Sequence, residues 1–289
     1  MKPRVCAVIV TYNCTSDLAQ NVALLRPQVE TLLIVDNGSR PESLQVLETV
    51  QRDHACTVIL NGTNLGMAAA LNIGVTHAMR NGFEWLATFD QDSQVSGDFI
   101  PALLDAYAAD AANTNVGMVL PRYKDRVSGD EVPLGSKYGH LVIGITSGAI
   151  TRLAVFESCG LFEEGLFIDC VDTEFCLRIS RNSWRIIESG RAILLHSLGR
   201  MVVRELGGLR LDPTNHSAAR RYYIARNRMV VWRRYFWRYP RWAIDDIRKL
   251  LRELVMILIL EIDKGKKLAF TLLGFRDALM NRMGYRKPL

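Results

Sequence analysis

The chain has 289 residues, 49% of them hydrophobic and 23% charged, with a formal net charge of +6. This balance excludes disorder, collagen and coiled coil. The best apolar run, Leu254 to Leu260, is bounded by Arg252, Glu253 and Glu261, far short of the roughly 18 to 20 apolar residues of a spanning helix.

Charge is unevenly placed. Residues 1 to 200 carry 16 Lys and Arg against 22 Asp and Glu, whereas residues 201 to 289 carry 20 against 8, so a +12 tail follows a −6 body. A basic tail on an acidic body meets phosphate, whether of nucleic acid, anionic lipid or substrate. The six cysteines (6, 14, 56, 159, 170, 176) form no C-x-x-C pair and have no His at zinc-finger spacing, so a reduced, cytosolic protein is expected. Lys2 and Arg4 precede an apolar run, but Thr-Tyr-Asn follows it where a small-residue cleavage site would stand, and no secretory signal is expected.

Buried strands are predicted at Val5 to Val10, Thr31 to Val35, Cys56 to Leu60, Glu84 to Phe89 and Val116 to Pro121. Between them, Ser16 to Arg26, Pro41 to Arg52, Gly66 to Met79 and Gly97 to Ala109 predict helices, with Ser16 as N-cap and Pro41 near a first turn. The alternation implies an α/β fold with a mostly parallel sheet covered on both faces. Residues 122 to 141 lack periodicity and predict a loop. A strand Val142 to Ile150, a turn through Gly160 and a helix from about Val171 to Arg181 follow. Two apolar runs, Trp184 to Ile187 and Ala192 to Leu195, then end at His196. The expected division is a catalytic domain over 1–208 and a basic, aromatic, helical extension over 209–289.

Ligands of such sheets bind beyond the carboxyl ends of the strands. Those ends carry Thr11-Tyr12-Asn13, Asp36-Asn37-Gly38-Ser39, Asn61 to Gly66 and Asp90-Gln91-Asp92-Ser93. Asp90 and Asp92, one residue apart, can reach one divalent cation and supply the hard oxygens that Mg²⁺ or Mn²⁺ requires, with positions left for diphosphate; taken alone, the pair also suits a solvated turn. Asp36 can accept from the imide N–H of a pyrimidine, and Gly38 lets the backbone turn sharply after it. Asn61 to Gly66 opens a helix and suits close packing on a polar ligand. It matches neither G-x-G-x-x-G nor the Walker pattern.

Val8-Ile9-Val10-Thr11-Tyr12-Asn13, Val35-Asp36-Asn37-Gly38-Ser39, Asn64-Leu65-Gly66 with Asn72 and Gly74, and Phe89-Asp90-Gln91-Asp92-Ser93 together resemble the family 2 glycosyltransferases of GT-A fold. The Asp-Gln-Asp-Ser form resembles the rhamnosyltransferase branch. The likeness continues through Ser147-Gly148, Gly160-Leu161-Phe162, Leu166 to Arg178, His196-Ser197-Leu198-Gly199, Asn215-His216 and Arg220 to Asn227, and so covers nearly the whole chain.

The resemblance implies an inverting rhamnosyltransferase that takes dTDP-β-L-rhamnose as donor and gives an α-L-rhamnoside. It implies that Thr11, Tyr12, Asn13, Asp36, Asn64, Gly66, Asn72, Asp90 and Gln91 hold the nucleotide sugar. It further implies that Asp90, Asp92 and His196 hold Mg²⁺ or Mn²⁺ and that Asp172 is the base. Asp169, Glu174 and Arg178 are then candidates on the acceptor side; Asp172 and Glu174, two apart at a helix start, do not share a face. The implied acceptor is a lipid-linked saccharide of a surface polysaccharide such as O-antigen, or alternatively a glycolipid such as a rhamnolipid. From another class, the rival is a catalytically silent, membrane-associated assembly factor.

Arg220 to Arg241 interleaves eight arginines with aromatic residues. Stacking on nucleic acid would use such a pattern, but no groove-reading motif accompanies it, and it also suits a lipid headgroup layer. No nucleic-acid partner is expected. In Ala243 to Ile262, apolar residues at helical spacing suit either packing on the catalytic domain or contact with a membrane. The expectation is a peripheral enzyme at the anionic, cytoplasmic face of a membrane; a homo-oligomer is left open.

Overall fold

Seven successive buried residues, Val-Cys-Ala-Val-Ile-Val-Thr, form β1 (Val5–Thr11), a run that belongs in the middle of a sheet covered on both faces. The computed structural model describes residues 3–110, 115–126, 128–132, 136–196, 204–206, 209–211 and 215–287. After β1 come α1 (Asp17–Leu25), β2 (Thr31–Asp36), α2 (Pro41–His54), β3 (Thr57–Leu60), α3 (Met67–Arg80) and β4 (Trp85–Asp90). β1 is parallel to both β2 and β4, and β3 is parallel to β2. Pro41 stands in the first turn of α2 as expected. Ser16 is the N-cap of α1, but its side chain makes no capping bond. β3 is partly exposed because it lies at the sheet's edge, which corrects the expectation of a buried strand.

β5 (Gln94–Val95), α4 (Phe99–Ala109), β6 (Val116–Asp125), β7 (Glu131–Val132), β8 (Ser136–Tyr138), β9 (Leu141–Ile143), β10 (Ile150–Arg152), α5 (Leu153–Cys159), α6 (Val171–Arg181) and β11 (Arg185–His196) follow. Among the described residues they complete a nine-stranded sheet ordered β3-β2-β1-β4-β10-β6-β11-β5, with β7 on β6. Antiparallel β10 sits between parallel neighbours.

Three sequence expectations change here. The expected loop over 122–141 is partly strand, since β6 runs on to Asp125 and pairs with β7. The expected strand Val142 to Ile150 breaks into β9 and β10, because Gly148 at φ +80° turns the chain back onto β4, donating its N–H to Thr88 O at 2.7 Å. The two runs before His196 are one strand, its pairing with β6 shifting between Glu188 and Ile193.

One face of the sheet packs Ile9, Ile34, Phe89 and Val119 against Leu18, Val22, Leu47, Phe99 and Leu103 of the helices. Val8 points to the other face, where α3 approaches so closely that a Cβ on Gly74 would lie 2.3 Å from Val8 Cγ2. Gly74→Ala is therefore expected to destabilise the protein by about 1 kcal/mol or more, overpacking outweighing the roughly 1 kcal/mol of helix propensity gained; urea unfolding measures it. Burial pushes the Cys6 and Cys176 thiols up to about 12, so both pack as small apolar groups.

The chain divides into two compact units, Met1–Glu164 with Val171–Ser197, and Gly165–Cys170 with Leu198–Leu289. The boundary expected at 208/209 involves residues 207 and 208, which lie outside the described residues. The second unit contains a short hairpin of β12 (Arg204–Leu206) and β13 (Leu209–Leu211), then α7 (Ala218–Tyr235), α8 (Pro240–Ile259) and α9 (Lys264–Leu279). α7 and α9 pack so tightly that a Cβ on Gly274 would lie 2.4 Å from Tyr222 O.

In this unit Arg226 is wholly buried. Its guanidinium lies 5.5 and 5.0 Å from the ring centres of Tyr222 and Tyr223 and donates to the carbonyls of Gly165, Leu166 and Gly284. Asn227 Nδ2 donates to the carbonyls of Leu166, Ile168 and Asp169. The segment 165–170 contains three left-handed residues, Phe167, Asp169 and Cys170, and four of its six backbone carbonyls are capped by α7.

Part of the basic tail is internal. Arg221 pairs with Glu253 and Glu261, Arg228 with Glu253 and Asp246, and Lys267 with Glu261. Trp232 Nε1 donates to Asp246. The arginine-aromatic segment is thus only in part a displayed surface, Arg233, Arg234, Trp237, Arg238 and Arg241 being exposed. No helix among the described residues is long and apolar enough to cross a membrane.

Candidate active site

The ends of β1, β2 and β4 are laced together by their own loop residues. Buried Thr11 donates its hydroxyl to Asp36 Oδ1 at 3.1 Å. The N–H groups of Gly38 and Ser39 donate to Asp36 Oδ2 at 3.1 and 2.9 Å, and Ser39 Oγ donates to Oδ1. A carboxylate offers about four acceptor positions, and Asp36, 1% exposed, uses three within its own turn and one for Thr11. A further donor would have to displace one of these four. Gly38 is required here, since φ is +81° and a Cβ would lie 2.6 Å from the backbone of Thr63.

Asn13, at φ +53°, donates its N–H to Ser39 Oγ at 2.7 Å and accepts from the Arg40 N–H at 3.0 Å. Exposed Tyr12 and half-buried Gln91 bond reciprocally, Tyr12 N–H to Gln91 Oε1 at 2.9 Å and Gln91 Nε2 to Tyr12 O at 3.3 Å. Asn64 Oδ1 accepts from Asn37 Nδ2 and from the Gly66 N–H, placing Gly66 at φ +91° as the N-cap of α3. Asn72 stands apart from this cluster. It is buried, and its amide bonds both backbone groups of Phe162 and the Glu164 carboxylate. With Glu164 it lines a groove of about 420 Å³ along α3 that also includes His77 and Arg80 but none of Asp36, Asp90, Asp92 or Asp172.

Asp90 ends β4 and Asp92 follows in the turn, both partly exposed. The Asp90 N–H donates to Ser147 Oγ at 3.0 Å, Ser147 Oγ and Ser93 Oγ are 2.7 Å apart, and the Ser93 N–H donates to Asp90 O at 3.2 Å. His196 ends β11 one residue beyond Leu195, which pairs with Gln94, so its backbone lies beside the Asp92 turn; its side chain, like Ser197 to Gly199, lies outside the described residues. No group of three or more His, Cys, Asp or Glu able to hold a metal occurs among the described residues. Two carboxylates nevertheless suit Mg²⁺ or Mn²⁺, which are commonly held by one or two carboxylates together with substrate phosphates and water.

Sequence reasoning missed Thr146. Its N–H and Oγ1 both donate to Asp172 Oδ1, at 3.1 and 2.5 Å, and its carbonyl accepts from Thr88 Oγ1 at 2.7 Å. Asp172 lies in the first turn of α6, where a carboxylate is favoured by the helix dipole. The 144–149 turn thus holds Asp172 through Thr146 and the Asp90 backbone through Ser147. Glu174 is buried and paired with Arg178, whose guanidinium also donates to the carbonyls of Cys159 and Leu161. That pair braces the turn through Gly160. Asp169, in the second unit, pairs with Arg220 at 2.9 Å. Buried Asn21 was also missed: its Nδ2 donates to Gln91 O at 2.9 Å, and its Oδ1 has no partner among the described residues.

A mostly parallel sheet with a carboxylate pair at the end of β4, and a further carboxylate braced from the neighbouring turn, has the GT-A architecture of nucleotide-sugar transferases. Residues 6–148 match the family described as glycosyl transferase family 2. The dTDP-rhamnosyl transferase RfbF of Shigella flexneri is 31% identical over an alignment of 251 positions that covers 81% of each chain. S. aureus TarS 1–349 in complex with UDP-GlcNAc shares the fold at TM-score 0.57 and 17% identity, over 95% of this chain and 81% of that one. GalNAc-T7 with UDP, GalNAc and Mn²⁺ does so at TM-score 0.57 and 15% identity, over 80% of this chain but 48% of that one, so this chain spans about half its length. The chain belongs to glycosyltransferase family 2 and is a glycosyltransferase.

Proposed function

We propose that the protein transfers L-rhamnose from dTDP-β-L-rhamnose to a hydroxyl of a lipid-linked saccharide, with inversion at the anomeric carbon. The donor rests on the likeness to RfbF. The reaction rests on one observation, the turn that holds both the Asp172 carboxylate and the Asp90 backbone. Asp172 takes the proton of the acceptor hydroxyl as that oxygen attacks the anomeric carbon, and the bond to dTDP breaks on the opposite face. The strand-end loops of residues 11–13, 36–39 and 64–66 frame the nucleoside. Asp90 and Asp92, with His196 as the third candidate ligand, would hold a Mg²⁺ or Mn²⁺ that neutralises charge on the leaving diphosphate.

The test is a panel of nucleotide sugars with Mg²⁺, crossed with lipid-linked saccharide and glycolipid acceptors and read as nucleotide release. Release of dTDP from dTDP-rhamnose in the presence of a lipid-linked saccharide is expected. Turnover confined to another donor would overturn the donor assignment, and turnover confined to glycolipids would overturn the acceptor.

Thr146 is a positioning residue in this scheme, because two donors on one carboxylate oxygen fix the rotation of Asp172. Thr146→Val removes the hydroxyl donor to an ionised group, so kcat is expected to fall roughly tenfold while KM for the donor is unchanged. Thr146→Ser should recover most of the loss. A fall shared equally by the Ser variant, or confined to donor KM, would show that Thr146 only supports the turn.

A further inference from the structure

α8 carries two apolar stripes. Trp242, Ala243, Leu250 and Ile257 are buried within the second unit. Ile244, Leu251, Val255, Leu258 and Ile259 are exposed, 43 to 58%, and Ile262, just past the helix, is 67% exposed. At 100° per residue the five helical members fall in a sector of about 100°, so they form one continuous face. Exposed apolar side chains scattered singly are ordinary, but six along one edge mark a binding surface.

The charges of the same helix are sorted in the same sense. Asp246 and Glu253 are tied to Arg228 and Arg221, and Asp245 pairs with Lys249 one turn on. Arg241, Arg248 and Arg252 are exposed, as are Lys264 and Lys266 at the start of α9. Arg241, Arg248 and Arg252 fall within or beside the apolar sector, so the displayed face is apolar and cationic together. Arginine stems can lie along apolar surface while their heads reach outward. An acidic protein would satisfy the cations, and a second copy of this helix would cover the apolar stripe but oppose like charges. An anionic bilayer offers phosphate at the headgroup level and hydrocarbon directly beneath it, which matches both features.

We propose that the outer face of α8 is a docking surface for an anionic phospholipid bilayer, lying in the plane of the interface with Leu251, Val255, Leu258 and Ile259 inserted and Arg241, Arg248 and Arg252 at the phosphates. Docking needs neither donor nor acceptor, so it stands or falls separately from the proposed reaction.

The test is co-sedimentation of the full chain with vesicles of phosphatidylcholine and phosphatidylglycerol, against vesicles of phosphatidylcholine alone, across an ionic-strength series. Binding to the anionic vesicles is expected at low salt and weakens as salt rises. Leu251→Glu with Leu258→Glu, both at exposed positions, should reduce partitioning at least tenfold. Arg241→Gln with Arg248→Gln and Arg252→Gln should reduce it about 100-fold, at roughly fivefold for each basic residue near the surface. Circular dichroism checks that both variants are folded. Absence of wild-type binding at low salt, or wild-type binding by both folded variants, would overturn the proposal. So would a solution dimer that the Leu251→Glu, Leu258→Glu variant dissociates without any vesicle binding by the wild type, which would assign the face to a second copy.

Discussion

Asp172→Asn is expected to lower sugar transfer by about 10³-fold while dTDP binding stays close to normal, a general base commonly contributing 10²- to 10⁴-fold. The amide keeps the size and shape of the carboxylate but cannot take up the acceptor's proton. Its Oδ1 can still accept from Thr146 N–H and Oγ1, so the 144–149 turn and the Asp90 backbone that it holds are retained. This separates the substitution from a structural lesion. The experiment pairs a transfer assay with dTDP titration of the same preparation. Near-normal turnover would remove Asp172 from the role of base and bring Asp169, despite its pairing with Arg220, forward for test.

Asp92→Ala is expected to lower kcat/KM by two to three orders of magnitude, the size of effect that follows from losing several kcal/mol of charge stabilisation on a leaving diphosphate. With Asp92 gone, a cation held at the end of β4 would keep only Asp90 as its carboxylate within the turn. Calorimetric titration of dTDP with and without Mn²⁺ distinguishes the cause: the wild type should bind dTDP more tightly with the metal, and the variant should lose most of that difference. An unchanged metal dependence would refute the ligand assignment whatever happened to activity.

How much of this was legible in the sequence depends on how local each cause is. The unbroken apolar run of β1 and the Asp and Gly residues after β2 and β4 act through their immediate neighbours, so the core of the sheet and the loops at the carboxyl ends of its strands could be read directly. The break between β9 and β10 was legible only in part: Gly148, at φ +80°, marks it locally, but the bonds that fix the turn come from Thr88 and Asp172, far along the chain. Asn72 illustrates the converse: its place in a motif suggested ligand contact, while the fold spends its amide on Phe162, 90 residues away. In the tail the sum of charge was readable but its partition was not. Glu253 and Glu261, which interrupt the apolar run, are the acids that neutralise Arg221 from within.

The hexapeptide 165–170 makes the two units inseparable as pieces of chain. It lies between stretches of the first unit, immediately before Val171 and Asp172, yet four of its carbonyls are capped by Arg226 and Asn227 of α7. A gene cut after residue 197 would still encode these six residues and their left-handed backbone, but nothing to receive their carbonyls, and each buried acceptor left open costs about 1 to 3 kcal/mol. The helical tail is therefore not a module that evolution or an engineer can exchange at a single junction. A graft of another tail must carry with it residues that recognise this hexapeptide, or replace the hexapeptide too. Homologous chains with unrelated tails are accordingly expected to differ at 165–170 as well, and a chimera with two matched crossovers should fold where one with a single crossover does not.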